Sequence, residues 1–561
     1  MVMKQLIALV PALPIISALL LLLFSGQTKQ HAARVSVAAT AVTFVMAVAT
    51  IGMIIAGHQA EHIGFSHGWG ILLSDPLSAV MGVLISGISL IVHIYSIRYM
   101  AEEAGYTRFF ILLDLMTAAL LIMVAAGDLL TLVVAWHVIG VLLYFLLGHD
   151  LTRQSTFRYA FWTFFTYRVG DLALVVAAAI LFYAYGTWSL PEIFAGIQEN
   201  PQGASLFGMP ATEAAAMFLA LAAFARSAQF LLHNWLPYTM DGPTPVSALM
   251  HAGIVNAGGF LINRFASVFV NAGDVLHWLF IIGLITAVIG SVLMLAQNDI
   301  KKSLGYSTMG QMGFMVMECG VGAFSLAIFH LIAHGLFKGT LFLSSGGVIG
   351  AARRDDGIPK DDLYTFVVER RPARQRPPWL MMAVITLAVP AVVLFLAHWV
   401  VSQDFFQKQG AVILLFFGWI TGAQLIFATY RTRSERASRL FTLVLSSFTV
   451  IVIGYTLISH VFELFLYPDP QFRELIHNAS NFNVVWFDIL IALTAVVIVL
   501  GWMITYYSEK NGRRTRKQPG RLWLSFYTLV SREFYLADIY AWANRVLIRT
   551  AESLNVWLRW A

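Results

Sequence analysis

The chain has 561 residues, of which 59% are hydrophobic and only 12% charged. This composition excludes an ordinary soluble domain and indicates a polytopic membrane protein. The net charge of +6 does not indicate a nucleic-acid partner, because the basic residues fall where membrane topology requires them. A single cysteine, Cys319, excludes intrachain disulfides, zinc ribbons and iron–sulfur ligation by this chain alone.

Long apolar runs predict an all-α fold with about 15 transmembrane helices. We expect no β-strands and no soluble catalytic domain, because the stretches between the runs are short. The predicted spans are 5–25, 35–56, 76–99, 109–127, 129–148, 159–183, 213–233, 244–270, 276–296, 303–318, 321–350, 379–400, 411–430, 439–466 and 485–507.

Lysine and arginine lie mainly on one side of the predicted membrane. The loops 57–75 and 184–212 contain neither, whereas the loop 353–376 and the cluster at 510–521 are strongly basic. Cytoplasmic loops are the basic ones, so we expect a bacterial inner-membrane protein with its N-terminus outside. The first apolar run lacks a small-residue cleavage site, and we interpret it as a retained span rather than a signal peptide.

The ionisable residues inside these spans carry the functional information, because each costs at least about 2.5–3.5 kcal/mol at the bilayer centre. His137 lies mid-span in LVVAWHVIGVLLY. Arg168 and Asp171, in TYRVGDLAL, fall three residues apart on one helical face, where pairing lowers the cost of both. A structural hydrogen-bonder at His137 and a structural ion pair at Arg168 and Asp171 are the alternatives to a role in ion coupling.

Arg226 precedes an interruption of the apolar pattern, LPYTMDGPTPVS at 236–247. Its guanidinium stays protonated, so it can fix a positive field but cannot release a proton. A helix broken inside the membrane marks an ion or substrate site in transporters. The alternative is that Pro243 and Pro245 merely start the next helix, in which His251 follows one or two turns later.

His330, His334 and Lys338 repeat every four residues in FSLAIFHLIAHGLFKGTLF. This spacing places the three titratable groups on one helix face, about 6 Å apart per step. Two histidines on one face cannot both bind a haem iron from opposite sides, and no third metal ligand is evident. We therefore predict a proton or cation relay and no metal or catalytic residue in this chain.

The C-terminal segment 508–561 begins with a basic cluster, SEKNGRRTRKQPGR, and continues with mixed aromatic and charged residues. This pattern predicts an amphipathic helix lying on the cytoplasmic face of the membrane, in contact with lipid. A docking surface for a partner protein is the alternative interpretation.

Several of these motifs, in this order, resemble the antiporter-type membrane subunits. The motifs are the stretch from LSDPLSAVMG to YTRFF, the RVGD at 168–171, RSAQ…WLP…DGPTPVSALMHA, NDIKKSLGYSTMGQMGFM and AIFHLIAHGLFKGTLFLSSG. Members include NuoL of respiratory complex I, MrpA of sodium/proton antiporters, and DabB of the inorganic-carbon accumulation systems. The resemblance implies inverted five-helix repeats with discontinuous helices. It also implies a hydrophilic axis lined by Asp171, Arg226, His251, Lys301 or Lys302, His330, His334 and Lys338.

Two departures from the family pattern narrow the choice. Where the complex I subunits carry a glutamate in W-E-x-x-G, this chain has Trp136, His137 and Gly140, and Arg226 replaces the partner lysine. Beside a guanidinium we expect His137 to be neutral. In the second repeat the central lysine and broken helix are missing from 379–400, which offers only Pro390 and His398.

These departures favour the DabB family over the respiratory pumps. That resemblance implies a cation-conducting subunit, for H+ or Na+, that works with a cytoplasmic zinc protein of the DabA type, itself similar to carbonic anhydrase. A subunit of a redox-driven pump or a sodium/proton antiporter is the alternative, and a passive anchor is a third possibility. We divide the chain into N-terminal helices (1–108), an antiporter-like core (109–350), a cytoplasmic loop (351–378), divergent helices (379–507) and the tail (508–561).

Overall fold

The structure is a computed structural model of the chain. It describes residues 2–345 apart from short gaps at 25–28, 59–60, 65–69, 151–153, 207 and 298, then 379–401, a discontinuous set of positions between 446 and 503 that includes 460–480, and 520–559. The predicted loop 351–378, the span 411–430, the basic residues 508–519 and much of the spans 439–466 and 485–507 lie outside the described residues.

Helices account for nearly all of the described chain, as the sequence predicts, and eight of those described are long and apolar enough to cross a membrane. The helices up to the interruption are α1 Val2–Leu23, α2 Lys29–Ile55, α3 Pro76–Tyr99, α4 Tyr106–Ala125, α5 Leu129–Leu147, α6 Gln154–Tyr185, α7 Leu190–Glu199 and α8 Ala211–Arg226. Those that follow are α9 Thr244–Leu249, α10 Ala257–Arg264, α11 Ala266–Phe269, α12 Gly273–Ala296, α13 Ile300–Gly320, α14 Phe324–Ser345, α15 Trp379–Val401, α16 Pro470–Ala479, α17 Arg521–Ser531 and α18 Leu536–Leu558.

The expectation of no strands is wrong in two loops. Antiparallel hairpins join β1 (Glu61–Ile63) to β2 (Leu72–Ser74) and β3 (Ser205–Leu206) to β4 (Met209–Pro210). Both lie in the loops without lysine or arginine. Each strand has only two or three residues, which is too short to give a periodic sequence signal.

The broken helix begins earlier than the sequence pattern indicates. Helix α8 ends at Arg226 rather than near 233, and a short 3₁₀ turn, Leu236–Asp241, follows before α9 starts at Thr244. Pro243 caps α9 and Pro245 lies in its first turn, which fits the tolerance of proline at that position. The interruption therefore covers residues 227–243, and the predicted helix start after it is present as well.

The predicted span 244–270 is itself divided. A single π-helical turn, Met250–Ile254, follows α9 and contains His251. Such turns insert an extra residue into a helix and recur at functional sites. The π-turn rotates the side chains that follow, so that α10 and α11 continue in a different register.

Helices α12 and α13 approach one another closely because glycines line their contact. A methyl group added at Gly313 would lie 2.4 Å from the backbone nitrogen of Ala287, and one at Gly283 would lie 2.6 Å from that of Met317. Small residues that allow backbones to touch are a common means of helix association in membranes. The contact fixes α13, which supplies several residues of the site.

The N-terminal helices α1 to α4 meet at a fully buried carboxylate, Asp114. Ser17 and Ser36 each donate to it at 2.8 Å, and His93 Nε2 lies 3.1 Å away. His93 Nδ1 lies 2.7 Å from the carbonyl oxygen of Ser89, which can only accept. Polar side chains from three other helices thus surround this buried carboxyl group and supply hydrogen-bond partners to both of its oxygens.

The described chain forms two compact units. The first comprises residues 1–320, 326–345 and 520–561, and it contains every residue of the candidate site. The second comprises 321–325 and 346–519. Within the second, α15 contains Pro390, and His477 of α16 lies 2.8 Å from Glu463.

Asp75 joins the start of α3 to α10. It caps α3 through a reciprocal hydrogen-bond pair with Ser78, at 2.8 Å in each direction, and forms an ion pair with Arg264, which also donates to the carbonyl of Val124 at 2.9 Å. Burial alone would raise the pKa of Asp75, but the Arg264 charge and the hydrogen bonds outweigh it and lower the pKa below the ordinary 3.8. The carboxylate is therefore charged at physiological pH, and its stabilisation is lost only as pH falls through that lowered pKa.

We expect Asp75→Ala to destabilise the protein by roughly 3–5 kcal/mol, because it leaves the buried Arg264 without a counter-charge and removes a helix cap. The measurement is the thermal unfolding midpoint in detergent. Glu102→Ala, which removes an exposed carboxylate from a turn, is the control. Equal midpoints for the two variants would show that the ion pair contributes nothing.

Candidate functional site

The first part of the site centres on the carboxylate of Asp171, on α6. His137 Nδ1 from α5 lies 2.9 Å from one carboxylate oxygen, and Arg168 Nη2, one turn earlier on α6, lies 2.8 Å from the same oxygen. Arg226 at the end of α8 approaches the other oxygen at 3.7 Å. The structure thus brings together four residues that the sequence singled out from three separate helices.

Arg226 is 1% exposed and lies between two aromatic rings. Its guanidinium carbon is 4.4 Å from the centre of the Trp136 ring and 4.2 Å from that of Tyr167, and it donates to the carbonyl oxygen of Trp136. Cation–π contacts strengthen when the cation is desolvated. The charge is therefore held in a fixed place by the rings, a carbonyl and Asp171.

His137 contacts Arg168 as well as Asp171, and its side chain is half exposed. Arg168 Nη1 lies 2.9 Å from His137 Nε2. The guanidinium in direct contact with His137 is therefore that of Arg168, whereas the sequence pattern predicts Arg226. The neutral state of His137 stays a prediction.

Gly140 provides the space that this cluster needs. It lies one turn after Trp136 on α5, and a methyl group placed on it would be 2.6 Å from Arg168 Nη2 and 3.2 Å from the Tyr167 ring. The guanidinium therefore occupies the volume that any other side chain would fill. The W-H-x-x-G spacing combines the carbonyl and ring for Arg226 with the gap for Arg168.

The interruption after Arg226 carries polar groups through the protein interior. His233 and Asn234 are fully buried, and within the described part of the chain their polar side-chain atoms make no hydrogen bonds. Ala228 and Leu231 adopt positive φ angles of 48° and 71°, a conformation that costs energy without glycine. Irregular backbone and unsatisfied polar groups at this depth are typical of a segment that lines an aqueous path.

Trp235 ties the interruption back to the first cluster. Its indole nitrogen donates to the carbonyl of Ala225 at 3.2 Å, and its ring meets that of Tyr167 edge to face at 4.9 Å. Ser227, directly after Arg226, donates to the carbonyl of Val255 at 2.7 Å. The interruption is thus hydrogen-bonded both to α8 before it and to the residues that precede α10.

The second part of the site is the row on α14. His330 is 3.1 Å from both carboxylate oxygens of Glu318 on α13, and its Nε2 is 3.0 Å from the side-chain oxygen of Gln311. The His330 and His334 ring centres are 6.4 Å apart. Lys338, 2% exposed, donates to the carbonyl of Leu304 at 3.3 Å. The i, i+4 spacing therefore produces the row that the sequence predicts.

His251 joins this row from the π-turn. Its ring stacks on Phe342 of α14 at 4.2 Å, and it is close enough to interact electrostatically with both His334 and Lys338. The ring nitrogens of His251 and His334 have no hydrogen-bond partner among the described residues. Two buried imidazoles from different helices thus lie beside one ammonium group.

Lys301 and Lys302 begin α13, and the structure separates their surroundings. Lys301 is half-buried. Lys302 forms an ion pair with Glu533 of the C-terminal segment and lies 4.5 Å from the Tyr238 ring centre. Lys302 therefore has an acidic partner from the C-terminal segment.

Three residues of this site were missed from the sequence: Glu318, His233 and Glu533. Glu318 and His233 carried a usable signal, because each is an ionisable residue within an apolar stretch. Glu533 lies in a charged segment and carried no such signal. Its contact is fixed only by the three-dimensional fold.

Comparison with known proteins places these features in a family. Residues 126–423 match the family described as the NADH:quinone oxidoreductase/Mrp antiporter transmembrane region, and residues 62–110 match the N-terminus of complex I chain 5. The first match spans more than half of the chain. The chain belongs to this antiporter-like family.

Within it, the chain is 55% identical to the probable inorganic carbon transporter subunit DabB1 of Halothiobacillus neapolitanus, over 98% of this chain and 99% of the relative. The chloroplast NAD(P)H-quinone oxidoreductase subunit 5 of Piper cenocladum is 39% identical, over 54% of this chain and 41% of the relative. The recognition of a DabB-like chain is confirmed by the first of these. The chain spans less than half the length of the chloroplast relative.

Two solved structures share the fold. The Mrp complex of Dietzia sp. DQ12-45-1b superposes with a TM-score of 0.58 at 22% identity, over 98% of this chain and 60% of that one. The membrane-bound sulfane sulfur reductase, an archaeal respiratory membrane complex, gives 0.61 at 17% identity, over 84% of this chain and all of that one. At these identities the likeness concerns the fold.

We expect Gly140→Ala to displace the Arg168 guanidinium from Asp171 and His137, because the added methyl takes its place. The flexible end of an arginine can move, so the unfolding midpoint should change by no more than about 1 kcal/mol equivalent. Ion-dependent transport should nevertheless fall severalfold. Gly52→Ala, where a methyl would meet nothing within 4 Å, is the control, and equal transport in both variants would contradict the role of Gly140.

Proposed function

We propose that this chain is the cation-conducting membrane subunit of an inorganic-carbon accumulation system. The observation that carries the proposal is the row of His330, His334 and Lys338, of which His334 and Lys338 are buried, together with the buried His251 beside it. Such a row costs insertion energy that a passive anchor has no reason to bear. The end-to-end similarity to an inorganic carbon transporter subunit supports the substrate class.

The ion that suits this row is the proton. Its members are two imidazoles whose ring nitrogens have no hydrogen-bond partner among the described residues, one imidazole held by Glu318, and one amine. Imidazole and amine nitrogens take up and release protons, whereas sodium prefers several oxygen ligands. A proton entering at Glu318 and His330 would pass to His334 and then to Lys338 or His251.

The first cluster acts differently, because Arg226 keeps its charge. Its positive field at the end of α8 would disfavour a second positive charge beside it, whether a metal cation or a protonated imidazole at His137 or His233. Asp171 balances this field at 3.7 Å. The cluster would therefore set the electrostatic energy of a cation at this point of the path, while Arg226 itself transfers no proton.

The chemistry on inorganic carbon would belong to a partner. We propose a cytoplasmic zinc protein of the carbonic-anhydrase type, DabA-like, which hydrates CO₂ or accumulates bicarbonate while this subunit supplies the ion-driven step. The word subunit in the name of the 55% identical relative supports a complex. The cytoplasmic side is the one on which the sequence places the C-terminal segment.

We expect Lys338→Ala and His334→Ala to abolish inorganic-carbon uptake in cells that express both subunits, because each removes one step of the row. A lost proton-transfer group typically costs roughly 10²-fold or more. The measurement is uptake of labelled inorganic carbon with and without a protonophore, at varied sodium. Lys4→Ala and His58→Ala, both at exposed positions, are the matched controls.

Uptake that survives both row variants would contradict the relay. Uptake that depends on sodium but not on the protonophore would show that the coupling ion is Na+ rather than H+.

Affinity purification of the tagged chain distinguishes the proposed function from its alternatives. Recovery of one soluble zinc protein supports the proposal. Recovery of several other membrane subunits would instead favour a redox-driven pump or an antiporter complex.

A further inference from the structure

The segment between α17 and α18 packs against α13 and the interruption at Glu533. This residue is 4% exposed. Its carboxylate forms an ion pair with Lys302 of α13 and accepts a hydrogen bond from the hydroxyl of Tyr238 at 2.7 Å. Tyr238 belongs to the 3₁₀ turn of the interruption. A carboxylate from the C-terminal segment is thus buried where α13 and the interruption meet.

The backbone around Glu533 is held in an unusual conformation. Glu533, Phe534 and Tyr535 have φ angles of 56°, 56° and 57°, the left-handed region that residues with a Cβ adopt rarely and singly. Such a run persists only where surrounding contacts impose it. Close by, Tyr540 donates to the carbonyl of Leu231 in the interruption. The segment is therefore anchored at the buried carboxylate and again at Tyr540.

Glu533 contacts α13 in the same N-terminal part of that helix that the titratable row contacts. Lys302, its ion-pair partner, is two residues before Leu304, whose carbonyl accepts from Lys338. Tyr306, one turn after Lys302, interacts electrostatically with Glu533, and its ring centre is 6.4 Å from that of His233. The N-terminal part of α13 is therefore shared by Glu533, by the row on α14 and by the polar interruption.

We infer that Glu533 is a further residue of the ion path, the carboxylate through which the transported proton passes between Lys302 and the cytoplasmic side. This inference rests on the proposed function. The step moves one proton from Lys302 Nζ to Glu533 Oε1, which leaves a neutral amine and a carboxylic acid. Loss of that proton to cytoplasmic water and reprotonation of Lys302 from the row restore the ion pair.

A purely structural role for Glu533, in seating the C-terminal segment, makes a different prediction. Seating can be supplied without the carboxylate by joining cysteines at positions 231 and 540, whose native side-chain and backbone atoms already touch. A short bis-methanethiosulfonate reagent would join them. The native Cys319 is fully buried and does not compete. If seating is the whole role, the cross-link rescues a Glu533 variant.

The experiment measures protonophore-sensitive inorganic-carbon uptake by cells that express the full chain with its partner. We expect Glu533→Gln to lower uptake at least tenfold and Glu533→Asp to retain part of it. Glu552→Gln, which neutralises an exposed carboxylate on α18, is the matched control. In the Leu231→Cys, Tyr540→Cys background, cross-linking should leave the Glu533→Gln defect in place relative to the same pair with Glu533 intact.

Rescue by the cross-link, or equal uptake in Glu533→Gln and Glu552→Gln, would overturn the inference. Lys338→Ala in the same assay separates this failure from that of the proposed function. If Lys338→Ala abolishes uptake while Glu533→Gln does not, the relay stands and Glu533 is not part of it. If both variants transport normally, the ion-conducting function fails and the inference fails with it.

Discussion

A permanent charge in the membrane interior is the constraint on which the first half of this site depends. Arg226 cannot lower its cost by losing a proton, so the fold must surround it with compensating groups. The rings of Trp136 and Tyr167 cover the two sides of the guanidinium, and Asp171 supplies the opposite charge. Helix α8 ends immediately after this residue, so the positive charge lies at the negative end of the helix dipole. If any one of these contacts were removed, the remaining ones would no longer offset the desolvation cost of the buried guanidinium.

The two halves of the site therefore differ in kind. Around Arg226 the charges are fixed and balanced, and geometry is set by packed aromatic rings. On α14 the groups are titratable, and His334 lacks a hydrogen-bond partner among the described residues, so its protonation can change without breaking a contact. The interruption after Arg226 connects the two, and its buried His233 belongs in character to the second half. In the proposed proton path, the groups on α14 would change their protonation state while the charges around Arg226 stay constant.

Much of this arrangement can be predicted from the sequence, because membrane burial makes each local pattern strict. Apolar runs place the helices, and the i, i+4 spacing of His330, His334 and Lys338 places three groups on one face without knowledge of the rest. The start of the interruption could not be predicted, because residues 227–235 contain no proline or glycine that would end a helix. Contacts between distant segments could not be predicted either, because no local sequence pattern indicates them. Examples are the hydrogen bonds from the serines of α1 and α2 to Asp114 and the ion pair between Glu533 and Lys302.

The pairing of the interruption with the C-terminal segment has a consequence for biosynthesis. Tyr238 and Glu533 are 295 residues apart in the chain, which a ribosome adds in roughly 15–60 s at 5–20 residues per second. Lys302 is made after Tyr238 but long before Glu533, so for most of that interval it has no carboxylate partner. The nascent subunit must therefore tolerate an unpaired Lys302 until α17 and α18 are made. A membrane insertase or lipid headgroups would be needed to stabilise its ammonium group in the meantime.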